Sequence, residues 1–355
     1  MRLSSQKALG LLKRSLTPNR PYHAQWLLTR RCNYRCKSCG IWREPQRSDE
    51  VTADEVKKGL DVFRKLGVID VVFSGGNPLL RDDIGEIIDY ASRYFITTVY
   101  DNGSLAAEKI DALRNVDFVA ISLDTLDKKK LDYIKGVPRA WEKAMQSIQT
   151  LRNEGISVVI SPTISQLNQR EIVDFTRHFL KQSIPVLYCL YSYDHPMENQ
   201  LFGIGKRMEE FEHTDRADLT KVCGELMELK KKEHGIFITT KVLKALKDFF
   251  SDGQRTWKCE ALRGFFIVDH LGRAAGCHLR QPVASIFELY DQWNSEKFEG
   301  LRKEFSRCDR CTYLCYIVYS LHASIRGNME IIHDQWRNVG LLRNTNRSLT
   351  LPTDR

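Results

Sequence analysis

The chain of 355 residues contains no run of about 18 apolar residues, the length that carries a helix across the hydrocarbon core of a bilayer. A membrane-spanning helix is therefore excluded. The first sixteen residues also lack the unbroken apolar core of a secretory signal, because Arg2, Lys7, Lys13 and Arg14 interrupt Leu3, Leu11, Leu12 and Leu16. Acids are almost missing from the start of the chain: residues 1–47 hold eleven Lys or Arg and one acid, Glu44. No internal repeat or low-complexity tract is present, which excludes solenoid and linker-like classes. What remains is an ordinary globular balance, 42% apolar and 28% charged, at a net charge of +9. The early basic field suits an acidic or phosphate-bearing substrate, or is a solvated surface, and no nucleic-acid-binding motif accompanies it. Residues 1–21 read as a basic helix that either packs on the core or touches a membrane surface peripherally. The expected compartment is a reducing cytoplasm.

Cysteine is abundant, and eight of the ten are clustered by spacing. Without an export signal, metal binding is favoured over disulfides. Cys32, Cys36 and Cys39 form a C-x3-C-x2-C triplet directly after an apolar run, and a loop this short brings its thiols to one metal centre. Iron–sulfur clusters normally take four thiolates, so three leave one iron open, and an open position is where a metal site does chemistry. The alternative is structural zinc completed by a distant Cys or His. Arg30, Arg31, Arg35 and Lys37 flank the triplet and would help hold an anionic centre.

Strands are expected over residues 22–29, 69–73, 96–100, 118–123, 156–161 and 184–191, alternating with helices. That order implies parallel βα units curling into a barrel-like sheet with the site at the C-terminal strand ends. The Cys triplet, the Gly75-Gly76 turn, the Asp101-Asn102-Gly103 stretch and Asp124 all fall at such ends. Residues 196–256 read as a charged helical bridge, 257–320 as a Cys-rich module, and 321–355 as a helix and tail.

On these motifs, residues 22–195 resemble the radical S-adenosylmethionine (SAM) enzymes, whose core is a partial (β/α)6 TIM-like barrel. The resemblance implies that Cys32, Cys36 and Cys39 hold a catalytic [4Fe–4S] cluster whose open iron binds SAM. One electron would then cleave SAM to a 5′-deoxyadenosyl radical that removes hydrogen from the substrate. It implies that Gly75, Gly76, Asn77 and Pro78 form the turn that closes on the methionine amino group, with Asn77 where the family usually has Glu. Ser122 and Asp124 resemble the segment reaching the ribose and methionine carboxylate, or are a strand-end turn. Asn102 would line the SAM pocket, or sit in a plain turn, and Asn168 would approach the adenine or ribose, or cap a helix. Ser38 stands where many relatives carry an aromatic residue. Cys259, a hairpin, Gly272 and Cys277, followed by Cys308, Cys311 and Cys315, resemble a SPASM/twitch auxiliary domain. Five cysteines suit one four-Cys [4Fe–4S] cluster, ligated by Cys259, Cys277 and two or three of the later trio; a zinc ribbon is the alternative.

Cys189 and Cys223 read as buried thiols; His270 and His278 lie near the auxiliary cysteines and are candidate ligands or, more simply, surface positions of the hairpin region. Tyr191, Tyr193, Asp194 and His195 are candidates to face substrate. The expected substrate is a peptide or protein, with a lipid, isoprenoid or other small molecule as the alternative, and the expected electron donor is a flavodoxin or ferredoxin. A different class, a zinc-stabilised binding protein without activity, stays open at this point.

Overall fold

The computed structural model describes residues 20–45, 49–195, 200–309, 312–324, 326–327 and 329–331. The N-terminal basic stretch, Cys311 and the C-terminal tail lie outside them.

Five parallel strands form the body of the sheet: β1 (His23–Thr29), β2 (Asp70–Gly75), β3 (Ile96–Asp101), β4 (Phe118–Ile121) and β5 (Val158–Ile160). Helices lie between them. The first, α1 (Ala53–Leu66), starts where the sequence signals it: Thr52 and Glu55 form a reciprocal capping box. Its buried stripe of Val56, Leu60 and Phe63 turns toward the sheet, and the Phe63 ring lies 5.4 Å from that of Trp26 on β1. Next come α2 (Ile84–Ser92), α3 (Ile110–Leu113), α4 (Lys128–Lys135) and α5 (Ala140–Asn153).

Beyond β5 the ladder thins. A short strand β6 (Thr163–Ile164) leads through α6 (Ile172–Lys181) to β7 (Cys189–Leu190), and these two pair parallel. The expected sixth strand is thus reduced to β7 plus a bridge from Ile160 to Val186. Pro162 and Pro185 have no N–H to give to the ladder, which accounts for the interruption. The bridge continues from Val186 to Ile236, so the curvature of a partial barrel is kept.

Helices α7 (Arg216–Lys232) and α8 (Thr240–Asp252) follow, and then the Cys-rich segment. Its hairpin, β8 (Phe265–Val268) and β9 (Arg273–Ala275), is turned by Asp269, whose carboxylate accepts from the N–H groups of Leu271 and Arg273. β8 pairs parallel with β1 and β9 pairs with β10 (Ala284–Ser285), so one eight-stranded sheet runs in the order β10-β9-β8-β1-β2-β3-β4-β5. Three helices complete the described fold: α9 (Leu289–Gln292), α10 (Glu296–Ser306) and α11 (Leu314–Leu321).

Alternation sends Trp26 outward to α1 and Gln25 inward. The inward face is polar: Gln25 donates to Ser74 at 2.8 Å, and Thr98 and Tyr100 share that face of β3. Packed barrels fill this space with branched apolar side chains. Here Gln25, Ser74, Thr98 and Tyr100 are half-buried, so polar side chains line the inward face. At its far end the Tyr319 ring of α11 stacks on His23, 3.6 Å between centroids, while His23 Nδ1 bonds Asp70 at 2.5 Å.

Candidate active site

The Cys loop leaves β1 and is held on three sides by backbone. On the first side, Gly76 N–H donates to Thr29 at 2.7 Å and Asn77 N–H to the Arg31 carbonyl at 2.8 Å. The approach is so close that a Cβ on Gly76 would stand 2.0 Å from that carbonyl oxygen. Gly75 has φ +127°, a conformation reserved in practice for glycine. On the second side, the end of α4 receives the N–H groups of Arg35 and Lys37 on the Lys135 and Ile134 carbonyls. Gly136 caps that helix in the left-handed region, where a Cβ would meet Arg35 O at 2.1 Å. On the third, Gly40 donates to Ile204 at 2.7 Å and Lys206 to Ser38 at 2.8 Å.

The three thiols share one electrostatic group. Burial pushes Cys36 up to about 12 and Cys39 up to about 11, and Cys32 is raised as well; the neighbouring sulfurs add to this at Cys36 and Cys39, while Lys135 works against it. Such thiols are poor free nucleophiles, and a bound metal would deprotonate them outright. Among the described residues no three Cys, His, Asp or Glu side chains close on the position of a single ion. The 32–39 loop offers three sulfurs and no carboxylate or imidazole, a soft donor set that fits an iron–sulfur cluster.

Polar side chains from the strand ends surround the loop. Asn102 donates to Asn33 Oδ1 at 2.8 Å and approaches Cys32 Sγ at 4.0 Å. Asn77 Oδ1 accepts from Leu79 N–H at 3.0 Å, which caps the short turn opened by Pro78, and its Nδ2 donates to Asp101 at 2.7 Å. Ser122 and Asp124 do project together, and both meet Lys135: Nζ lies 2.8 Å from Ser122 Oγ and 2.8 Å from Asp124 Oδ2. Burial opposes the charge on Lys135, but Asp124 and the Cys36 sulfur outweigh it and raise its pKa. Asn168 is engaged otherwise. It donates to the carbonyls of Asp124 and Thr163 at 2.8 and 3.0 Å and accepts from Ser165 N–H at 2.8 Å, so it shapes the loop behind Asp124.

Lys135 is the site residue that sequence reasoning passed over, together with its helix α4. The signals were present: Asp127 caps the helix by accepting from Lys130 N–H, and Gly136 ends it.

Residues 26–179 match the radical SAM superfamily. The matched region runs from within β1 to within α6 and contains the Cys triplet. Over 318 residues it is 28% identical to the AdoMet-dependent heme synthase of Nitratidesulfovibrio vulgaris, covering 81% of this chain and 84% of that protein. Streptococcus suis SuiB bound to precursor peptide SuiA shares the fold with a TM-score of 0.61 at 17% identity, over 83% of this chain and 70% of SuiB. The protein anSMEcpe, solved with AdoMet and the Cp18Cys peptide, does so with a TM-score of 0.59 at 14% identity, over 91% and 99%. The matched domain is that of an enzyme whose cofactors are a [4Fe–4S] cluster and SAM.

In the Cys-rich segment Cys259, Cys277 and Cys308 line one small cavity with Trp257, Phe305 and Tyr316. Cys315, on α11, is pushed up to about 12 by burial, with the Cys189 and Cys277 sulfurs adding to the rise. Cys189 lies 3.7 Å from Ser161 Oγ, and Cys223 is buried in α7.

His270 and His278 are not surface positions. His270 is buried against the Phe202 ring, and His278 is fully buried, bonded to Tyr316 at 2.8 Å and to Asp194 Oδ1 at 2.9 Å. Asp194 therefore serves as a tie between the barrel's exit loop and the Cys-rich segment, and also accepts from Tyr313 OH and from Ile204 N–H. Burial alone would raise the Asp194 carboxyl, but His278 and the other donors outweigh it and lower it. Breaking a buried pair of this kind costs about 3–5 kcal/mol, so Asp194→Ala is expected to lower the melting temperature by several degrees. A melt unchanged from wild type would refute the tie. Tyr193 and His195 do face an open cleft of about 410 Å³ beside the Cys loop, with Arg43, Glu44, Lys206 and Arg207; Tyr191 turns inward instead and bonds the Lys206 carbonyl at 2.8 Å. Among the described residues no helix is long and apolar enough to cross a membrane.

Proposed function

We propose that Cys32, Cys36 and Cys39 ligate the catalytic [4Fe–4S] cluster. The methionine end of SAM would lie at the 75–78 turn, Asn102, Ser122 and Asp124. What supports this most is convergence: the Cys loop, the Gly-Gly turn and the Ser122–Lys135–Asp124 group meet at one strand-end mouth beside a polar inward face. When bound, these cofactors supply a 5′-deoxyadenosyl radical that takes a hydrogen atom from a substrate carbon. The chain's own residues hold the loop rigid, place Lys135 beside the thiols and admit substrate through the cleft. Cys259, Cys277 and Cys308, with Cys311 or Cys315, would hold an auxiliary cluster, and a flavodoxin- or ferredoxin-type protein would donate the electron.

Iron content tests the ligand sets separately. Anaerobically prepared protein should hold roughly eight iron per chain, and Cys36→Ala and Cys277→Ala roughly four each, with only the first losing SAM cleavage. Colourless, zinc-rich protein, or no 5′-deoxyadenosine from SAM and dithionite, would sink the reading.

For the substrate, we propose a peptide or protein. The cleft is open along the surface, and two proteins of the same fold were solved with peptides bound. The match to a heme synthase along most of both chains favours a second reading, a carboxylate-bearing porphyrin, for which Arg43, Lys206 and Arg207 would be anion contacts. Deoxyadenosine release stimulated by candidate precursor peptides supports the first. Release stimulated only by iron porphyrins replaces it with the second.

A further inference from the structure

The buried charges at the mouth are matched with one exception. Asp124 faces Lys135 at 2.8 Å, and Glu50 faces Arg31 at 2.9 Å and Arg81 at 3.5 Å. Asp101, at the end of β3, is 2% exposed and has no cationic partner among the described residues. It is held by dipoles alone: Asn77 Nδ2 at 2.7 Å on Oδ1, and the N–H groups of Gly103, Leu105 and Ala106 at 3.0, 3.3 and 3.1 Å on Oδ2. Hydrogen bonds satisfy its lone pairs but leave a net negative charge out of water, which is costly until a cation comes near.

Asn77 links this charge to the mouth. Its amide donates inward to Asp101, and its oxygen caps the turn at Leu79, so its own polar atoms are committed within the protein. An amide that donates to a carboxylate is polarised, which makes its oxygen end more negative.

We propose that Asp101 is the anionic determinant of a cation subsite at the 75–78 turn, acting through Asn77, and that the ammonium group of SAM is the cation it takes. This rests on the placement of SAM proposed above. Asp101 and Asn77 are positioning residues here: the carboxylate supplies the field and Asn77 fixes it against the turn.

The test exchanges the two side chains. Asp101→Asn removes the charge. The double variant Asn77→Asp/Asp101→Asn restores it at the turn and can keep the bonds among residues 77, 79 and 101, losing only the 3.4 Å donation from position 77 to Asn33 Oδ1. The new amide at 101 donates to the carboxylate at 77, while its oxygen takes the three backbone N–H groups. Melting temperature reports the fold. SAM affinity is read from the SAM-dependent change in the electron paramagnetic resonance spectrum of the reduced cluster, without turnover. Asp101→Asn is expected to bind SAM about tenfold more weakly, and the double variant within about threefold of wild type. The α-hydroxy analogue of SAM, which lacks the ammonium, should bind wild type and Asp101→Asn alike. Equal SAM affinity in wild type and Asp101→Asn, or a double variant as weak as the single, overturns the inference. If Asp101→Asn does not fold, a double variant more than tenfold weaker than wild type overturns it as well. Wild-type protein with a cluster that binds no SAM fails the underlying placement instead, and the two failures are told apart by that control.

Discussion

Replacing Gly76 with alanine is expected to destabilise the protein by about 3–5 kcal/mol and to leave the catalytic cluster site without iron. The added Cβ would sit 2.0 Å from Arg31 O, 2.6 Å from Arg31 C and 2.9 Å from Arg30 O, all of them backbone atoms that no rotamer change can move. Overpacking alone costs about 1–3 kcal/mol. Relief by separation would also break the bonds from Gly76 N–H to Thr29 and from Asn77 N–H to Arg31, at about 1 kcal/mol each. Those bonds orient the start of the Cys loop, so cluster assembly should fail along with stability. Gly300→Ala is the matched control. It lies exposed in α10 with nothing within 4 Å of its built Cβ, and alanine there should stabilise the helix by about 0.5–1 kcal/mol. Thermal melts and iron analysis check both. Wild-type iron and an unshifted melt in Gly76→Ala would mean that the turn does not clasp the loop as described.

The parts of that clasp were legible in the sequence because they are local, a Cys triplet after an apolar run and a Gly-Gly-x-Pro turn after another; that the turn bonds the start of the Cys loop was not. The strand ends were legible for the same reason, since hydrophobic runs punctuated by Gly, Asn and Asp fix where strands stop. Three other things were hidden. Helix α4 reads as KKKLDYIK, a solvated charge run, and only its caps, Asp127 and Gly136, mark it; Lys135 is buried because the loop folds over the helix end. The region around the hairpin looked exposed because its own residues do not show that β8 pairs with β1, 242 positions away at His23 and Phe265. Burial of His270 and His278 is a consequence of that long-range packing. Asn77, finally, looked like a shortened ligand, but a side chain one carbon shorter than Glu reaches its own backbone at Leu79, an Asx-type turn before a helical turn.

Lys135→Met is the second large effect, expected to cost about 3–5 kcal/mol and to impair cluster assembly. Lys135 is 4% exposed and its ammonium is bonded to Ser122 and Asp124; removing it leaves the Asp124 carboxylate buried with a single remaining bond among those described, the Thr163 N–H at 2.8 Å. Replacing both partners removes the orphan as well as the pair, so Lys135→Met/Asp124→Asn should be less destabilised than the sum of the single variants by about 1–3 kcal/mol. The pH dependence has a definite sign. The folded pKa of Lys135 is raised, so its stabilisation is fully present below the ordinary lysine value of about 10.4 and is lost only as pH climbs through the raised value. Melts near neutral pH should therefore separate wild type from Lys135→Met by a constant margin, and that margin should shrink only in strong alkali. The same substitution also removes the cation that opposes the rise in the Cys36 and Cys39 thiol pKa values. Iron uptake by refolded Lys135→Met should accordingly be slower than in wild type at equal pH, and should recover as pH is raised and the thiols ionise. Additive single and double variants, or uptake that does not respond to pH, would mean that Lys135 merely fills space between the strand ends and the Cys loop.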